Sequence, residues 1–245
     1  MAKFFRALDY PKYERKVEFA GLVSPREYAF YDGKMGSTEQ ASASVEKFYK
    51  ELSEKQTEDD PTKRASHEGK SFMIGAIARL NLSHKNLGGE AKKFLTFFEK
   101  SLSNSPFGKG RESAGAKTLT YNTFHNIYAQ AVELVNCVEE VKKLLGEYLK
   151  DKSRILSVKY SMKNGEGLAA TEAPRGTLYH YYKIDKYGVI RACNIITPTA
   201  QFLDNLENDL KKYLSEVKVK NERDRKWKIN MMVRAYDPCM TCATH

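Results

Sequence analysis

The last nine residues, Asp237-Pro238-Cys239-Met240-Thr241-Cys242-Ala243-Thr244-His245, decide how the rest of the chain is read. Two cysteines stand three apart just before a terminal histidine, a spacing that lets two thiolates converge on one metal. The histidine adds a nitrogen donor, and Asp237 an acceptor beside the pair. Chain ends ordinarily fray, so donors placed here work only if the tail is tied down inside the protein. Taken alone, the CxxC leaves half a zinc site, a redox dithiol and a disulfide all open. No second Cys/His pair at matching spacing completes a zinc site. The motif also closes the chain, whereas a thioredoxin-like dithiol follows a strand and opens a helix.

Composition bounds the rest. The 245 residues suffice for one large or two small domains, and 41 % hydrophobic content is ordinary for a soluble protein. A net charge of +10 favours an acidic partner: nucleic acid, a membrane surface or another subunit. The cations are spread along the chain, often beside glutamates, and read mainly as solvated helix faces. No arginine-rich run or RNA-binding sheet signature appears, so no nucleic-acid role is assigned. The four cysteines, Cys137, Cys193, Cys239 and Cys242, are too few for a disulfide scaffold. No apolar run approaches membrane-spanning length, and the basic, aromatic start has no cleavable apolar core. A reducing, cytoplasmic setting is expected, with membrane contact only through a partner.

Taken in order, residues 1–36 are rich in aromatic residues and lack a helical period. They suit an extended segment over a surface or a lobe packed on its own core, with Asp32-Gly33 as a turn. Residues 37–56 read as a helix capped by Ser37 or Thr38, with Val45, Phe48, Tyr49 and Leu52 on its apolar face. Residues 57–70 read as a charged loop carrying a surface His67. Phe72 to Leu82 reads as a buried run whose Arg79 reaches a carboxylate, and small Gly75 allows close backbone approach. Helices are expected over 88–103 and from Thr118 to about Leu149. The second has a long apolar stripe, Cys137 as an inert core thiol and His125 as a packed, hydrogen-bonded side chain. Three short strands follow at about 166–173, 177–184 and 189–196, with Asp185-Lys-Tyr-Gly188 as a turn and Cys193 in a structural place. A helix from Pro198 and another near 228–236 deliver the chain to Asp237. The fold class is α+β, mainly helical with a small antiparallel β-meander.

Three stretches coincide in a fixed order: Glu172-Ala-Pro-Arg-Gly176, Ile196-Thr-Pro-Thr-Ala-Gln201 and Arg234-Ala-Tyr-Asp-Pro-Cys-Met-Thr-Cys-Ala-Thr-His245. Together they resemble the C-terminal half of the large, catalytic subunit of nickel-iron hydrogenases of the soluble cytoplasmic type. Gly75 and Ala78-Arg79-Leu80-Asn81 look like a further family stretch. The resemblance implies long helices of the large-subunit bundle, and it divides the chain into an N-terminal lobe (1–70) and the C-terminal half of the catalytic domain (71–245). It implies reversible heterolytic cleavage of dihydrogen at a nickel–iron centre whose iron carries carbon monoxide and cyanide. Cys239 is then a terminal nickel ligand and proton acceptor, and Cys242 bridges the two metals. Pro174 and Arg175 line the pocket around the diatomic ligands, Thr199 hydrogen-bonds a cyanide, and Asp237 orients Arg175. His245 binds magnesium or ferrous iron together with the carbonyl of Ile195. Thiolates are soft donors that suit nickel and low-valent iron. Family precursors carry an extension beyond this histidine, so the resemblance implies a processed form or a gene without the extension.

The family's N-terminal CxxC is absent: no cysteine precedes Cys137. Two of the four usual nickel ligands must come from elsewhere, and the expectation is a split large subunit whose N-terminal half is a second chain. An iron–sulfur small subunit and electron-carrier subunits complete the expected assembly, with no iron–sulfur cluster in this chain. The other readings are one product of a longer precursor, a non-catalytic structural or assembly subunit of a redox complex, and, last, a small zinc or nucleic-acid binder.

Overall fold

The computed structural model describes residues 11, 13–103, 120–151 and 159–244, and the backbone alone over 98–103. A three-stranded sheet opens the chain. Strand β1 (Glu18–Val23) pairs antiparallel with β2 (Lys34–Ser37) and parallel with β5 (Phe72–Met73). The short helix α1 (Val45–Glu51) starts at Ser44, whose hydroxyl accepts from the Lys47 amide, and not at Ser37 or Thr38. It buries Phe48 and ends where the expected helix continues, because Leu52–Thr57 (β3) leaves as a strand.

That strand pairs with β4 (Asp60–His67), so the expected charged loop is a hairpin. The signal was masked by polar side chains: β4 buries only Thr62, Ala65 and His67. Asp60 holds the turn by accepting from the Thr62 amide at 2.9 Å. His67 is not at the surface; it is 1 % exposed, lies between Glu18 and Glu51, and stacks on Phe48 with ring centroids 4.1 Å apart. Facing charges decided its place, and sequence spacing does not display them.

Helix α2 (Ala76–Ser83) follows β5, and α3 (Gly89–Ser103) follows a short 3-10 turn. The expected long helix begins later than Thr118: a 3-10 turn at Thr123–His125 leads into α4 (Asn126–Lys150). His125 packs as expected, its ring 2.6 Å from the Thr120 hydroxyl. The apolar stripe of α4 divides. Tyr128, Ala129, Ala131 and Val132 are buried, whereas Leu134, Val138, Val141 and Leu144 are exposed, and Cys137 lies in the open and not in the core. Cys193 is likewise exposed.

The meander follows the expected strands closely: β6 (Gly165–Ala173), β7 (Gly176–Ile184) and β8 (Ile190–Ile196), all antiparallel. Helix α5 (Pro198–Glu216) starts with proline in its first turn, where a missing amide costs nothing. Helix α6 (Glu222–Tyr236), capped by Asn221, begins six residues before the expected start. One core joins the sheet, the meander and the last helices through Phe19, Phe72, Phe124, Tyr179, Phe202 and Tyr236.

Candidate metal centre

Two turns form the site. The first is the tight connection between β6 and β7, in which Ala173 and Gly176 are paired and Pro174 and Arg175 lie at the tip. Its backbone runs against the start of α2. A Cβ on Gly75 (φ +89°) would lie 2.7 Å from the Arg175 carbonyl oxygen, and one on Gly176 (φ +137°) 2.3 Å from Ile74 Cδ1. Both positions need glycine for space and for backbone conformation. The second turn is the chain end. Helix α6 stops at Asp237, whose φ of +52° breaks the helix while its amide still bonds the Val233 carbonyl. A 3-10 turn, Met240–Ala243, follows and packs against α5 and β4.

The turns meet through Arg175 and Asp237. The guanidinium donates from Nε to the Asp237 carbonyl and from Nη2 to the carboxylate at 3.1 Å. This pairing of residues 62 apart is the one expected. Thr199, in the first turn of α5 and 1 % exposed, accepts from the Cys239 amide at 3.1 Å, which leaves its own proton free to donate. Ile195 is half-buried in β8, in register with His180 of β7; His245 lies outside the described residues.

Cys239 and Cys242 have Cα atoms 5.3 Å apart and are joined as a disulfide. The resemblance implies two metal-bound thiolates, whereas the structure pairs the two sulfurs with each other, the disulfide that the CxxC spacing alone also allows; reduction by two electrons and two protons returns both thiols. The expected enclosure of the tail is only partial. Ala243 is buried, Cys239 and Cys242 are half-buried, and Met240, Thr241 and Thr244 face outward. Among the described residues no three His, Cys, Asp or Glu side chains come together to hold a metal.

A buried ionic network that the sequence only hinted at holds the Arg175 turn. Arg79, 1 % exposed, donates to Glu133 at 2.6 and 2.5 Å and to Glu172 at 2.5 Å. It also reaches the carbonyls of Ala173 at 3.1 Å and Pro174 at 3.3 Å. Burial presses the guanidinium toward neutrality, but the facing Glu133 and Glu172 outweigh it and hold Arg79 charged well above its ordinary range. Glu172 is shared further: it accepts from the Leu22 amide at 2.7 Å and the Thr177 hydroxyl at 2.8 Å. Tyr28 donates to Glu133 at 2.6 Å. Burial, and then Glu133, push its phenol well above the usual range.

A second network holds the tail. Asp209, 1 % exposed, accepts from Tyr13 at 3.0 Å, Thr123 at 2.5 Å and Tyr236 at 2.6 Å, and pairs with Arg15. Tyr236 immediately precedes Asp237. Neither Glu133 nor Asp209 belongs to a recognisable motif; each is an acidic residue inside a helical stripe, a signal the sequence does carry.

The residues present fit half of a nickel–iron site. When reduced, they offer two sulfur donors in one turn, a fixed cation beside them and a buried hydroxyl free to donate. At the start of α5, Thr197 Oγ1 and Gln201 Oε1 are buried without a hydrogen-bond partner, so polar capacity remains for a bound group.

Residues 12–245 match the family of nickel-dependent hydrogenases. Sulfhydrogenase 1 subunit alpha of Pyrococcus furiosus is 31 % identical over 227 residues, 91 % of this chain and 49 % of its own length. Sulfhydrogenase 2 subunit alpha of the same organism is 32 % identical over 188 residues, 75 % of this chain and 40 % of its own. An NAD+-reducing NiFe-hydrogenase solved in the H2-reduced state has the same fold, with a TM-score of 0.70 over 95 % of this chain and 51 % of that one at 22 % identity. The chain spans about half the length of these relatives or less. With its match running from residue 12 through the CxxC tail, it belongs to the nickel-dependent hydrogenase family.

Proposed function

We propose that this chain supplies the C-terminal half of a hydrogenase active site, for the reversible cleavage of dihydrogen into protons and electrons. The observation that carries the reading is the meeting of the two turns: Arg175 bonded to Asp237, one residue from Pro238 and two from Cys239. Once reduced, Cys239 and Cys242 would be the sulfur donors that hold a nickel–iron centre, its iron bearing carbon monoxide and cyanide. When bound, that centre polarises dihydrogen and accepts its electrons. Cys239 Sγ takes up the proton, Asp237 keeps the Arg175 cation over the reacting position, Pro174, exposed at the tip of its turn, lines the pocket beside it, and the Thr199 hydroxyl donates to a cyanide. His245 and the Ile195 carbonyl hold magnesium or ferrous iron and close the tail.

The two remaining sulfur donors come from outside these 245 residues. We place them on a companion chain corresponding to the N-terminal half of the relatives. Cys137 and Cys193 are single, exposed and on separate elements, which supports an outside source. Electrons then leave through an iron–sulfur subunit to carrier subunits, in the cytoplasm. The test is metal analysis and infrared spectroscopy of the native complex, purified anaerobically and reduced. Nickel and iron near equal amounts, carbonyl and cyanide bands, and loss of hydrogen turnover in Cys239→Ser are expected. A complex with every subunit present but no nickel overturns the reading.

The Cys239–Cys242 disulfide favours a second reading, a structural or assembly subunit whose dithiol never binds metal. In that case Cys239→Ser leaves hydrogen turnover by the complex unchanged.

A further inference from the structure

The cations are spread along the chain by number, but their excess is not. Residues 211–228 hold eight Lys and Arg against three Asp and Glu, which is five of the chain's ten net charges. They occupy the end of α5, a short loop and the first half of α6. The three acids are already engaged, Glu216 by Lys212, Glu222 by Arg225 and Asp224 by Lys228. Lys211, Lys218, Arg223 and Lys226 are exposed and form no ion pair among the described residues. Trp227, the one tryptophan of the chain, stands among them at 61 % exposure. It lies one turn after Arg223 and beside Lys226, on the face of α6 opposite the buried Met232, Ala235 and Tyr236. The surface is also preformed. Asn221 caps α6 by accepting from the Asp224 amide, Asp224 accepts from the Lys220 amide, and Lys228 donates to the Lys218 carbonyl, each at 2.9 Å. The loop is thereby tied to the helix, and binding has little left to order.

We propose that this surface docks an acidic segment of another protein, with carboxylates over Lys218, Arg223 and Lys226 and one apolar side chain seated on Trp227. Charge complementarity sets the sign of the partner, and the side chains set its kind. Tryptophan beside arginine is the pairing that dominates contacts between proteins. A nucleic-acid strand needs a series of rings to stack on, but Tyr213, the other ring of the stretch, is buried, so Trp227 stands alone. A bilayer needs an apolar face, but Val217 and Val219 are half-buried, and the outward side of α6 around Trp227 is Arg223, Lys226 and Asn230. A second copy of the chain brings its own charge of +10. The stretches outside the described residues carry only Asp9 and Glu112 as acids, against eight Lys and Arg, so they do not supply the segment either. Trp227 lies ten residues before Asp237, about 15 Å along the helix, so the docking surface is separate from the metal centre and does not rest on the reading given for it.

The single tryptophan is its own reporter. The full-length chain, with tryptophan excited selectively, is titrated with a short peptide of Asp and Glu around a central leucine, with an oligothymidylate of the same charge, and with phosphatidylserine vesicles. The peptide should bind and shift the Trp227 emission to the blue, and its affinity should fall at least about tenfold when salt rises from about 0.05 to about 0.5 M. Alanine in place of the peptide's leucine should remove most of the shift. Arg223→Glu with Lys226→Glu should weaken peptide binding about tenfold or more. Lys85→Glu with Lys142→Glu, the same change of charge on other elements, should weaken it less than about threefold. All four positions are exposed, and circular dichroism checks that each variant folds. Arg223→Gln with Lys226→Gln, which adds no anions, should show a smaller loss of about threefold or more and decides the matter if the glutamate pair disturbs α6. No emission change with the peptide, tighter binding of the oligothymidylate or the vesicles than of the peptide, or equal losses in the Arg223/Lys226 and Lys85/Lys142 variants overturns the proposal.

Discussion

Replacing Arg79 with methionine tests the physics of the Arg175 turn. Methionine fills much of the same volume but removes a cation that serves Glu133, Glu172 and the carbonyls of Ala173 and Pro174. Arg79, Glu133 and Glu172 are all buried, so little water replaces the lost partner. Breaking a buried ion pair from one side costs about 3–5 kcal/mol, because the remaining charge is left uncompensated. Glu172 keeps the Leu22 amide and the Thr177 hydroxyl, and Glu133 keeps Tyr28, which places the expectation near the low end, about 3 kcal/mol. That is a large share of a typical domain's stability of about 5–15 kcal/mol. Urea unfolding of the wild-type and Arg79→Met chains, followed by far-ultraviolet circular dichroism, reads it as a shift in midpoint at constant slope. Removing the stranded charges as well, in Arg79→Met/Glu133→Gln/Glu172→Gln, should recover at least about 1 kcal/mol of the loss. A loss below about 1 kcal/mol for Arg79→Met, or no recovery in the triple variant, refutes the claim that this network holds the turn.

Other expectations follow from the same geometry. Gly75→Ala should cost more than about 1 kcal/mol, from a backbone at φ +89° and a Cβ 2.7 Å from the Arg175 carbonyl. Gly167→Ala, with nothing within 4 Å, should stay within about 0.5 kcal/mol, both read by thermal or urea unfolding. At His67, burial opposes the charge, but Glu18 and Glu51 outweigh it and raise the imidazole above its ordinary value. Its stabilisation is therefore fully present below about pH 6.5, the unfolded value, and is lost as pH rises through the raised folded value. His67→Gln should flatten that fall in a pH series of unfolding midpoints; an unchanged series contradicts it. Asp209→Asn should cost about 2 kcal/mol or more, since Arg15 loses its counter-charge and only one acceptor oxygen remains for the three hydroxyls.

The parts of the fold that were legible in the sequence carry their signal locally. Glycines bracket the meander, Pro198 opens α5, and turn residues at 173–176 and 185–188 separate the strands at 165–196. The Arg175–Asp237 pair was legible through resemblance, since the motifs that hold them are 62 positions apart. What failed was decided by neighbours. The β3–β4 hairpin has almost no apolar pattern of its own. It is instead fastened by charge, Arg64 meeting Asp60, Asp204 and Glu207 at 2.8, 3.1 and 2.6 Å. His67 is drawn inward by Glu18, a residue 49 positions away. In α4 the apolar period was read correctly as a helix but wrongly as a core, because periodicity says which residues share a face and not what covers it.

The Arg175–Asp237 pair cannot hold itself in place. Its side chains are 36 % and 46 % exposed, and an ion pair that open contributes only about 0–1 kcal/mol. Its geometry must be set from behind, and two buried clusters do so from opposite sides. Arg79 with Glu172 grips the carbonyls on the Arg175 turn, and Asp209 grips Tyr236 at the base of Asp237. The clusters share no residue, so their effects on stability should add, whereas their effects on the distance between Arg175 and Asp237 should not. Loosening either side releases the same pair, and loosening the second has little left to undo. Rigidity supplied from each side, with the pair itself left partly open, is the arrangement that the half-site proposed above requires.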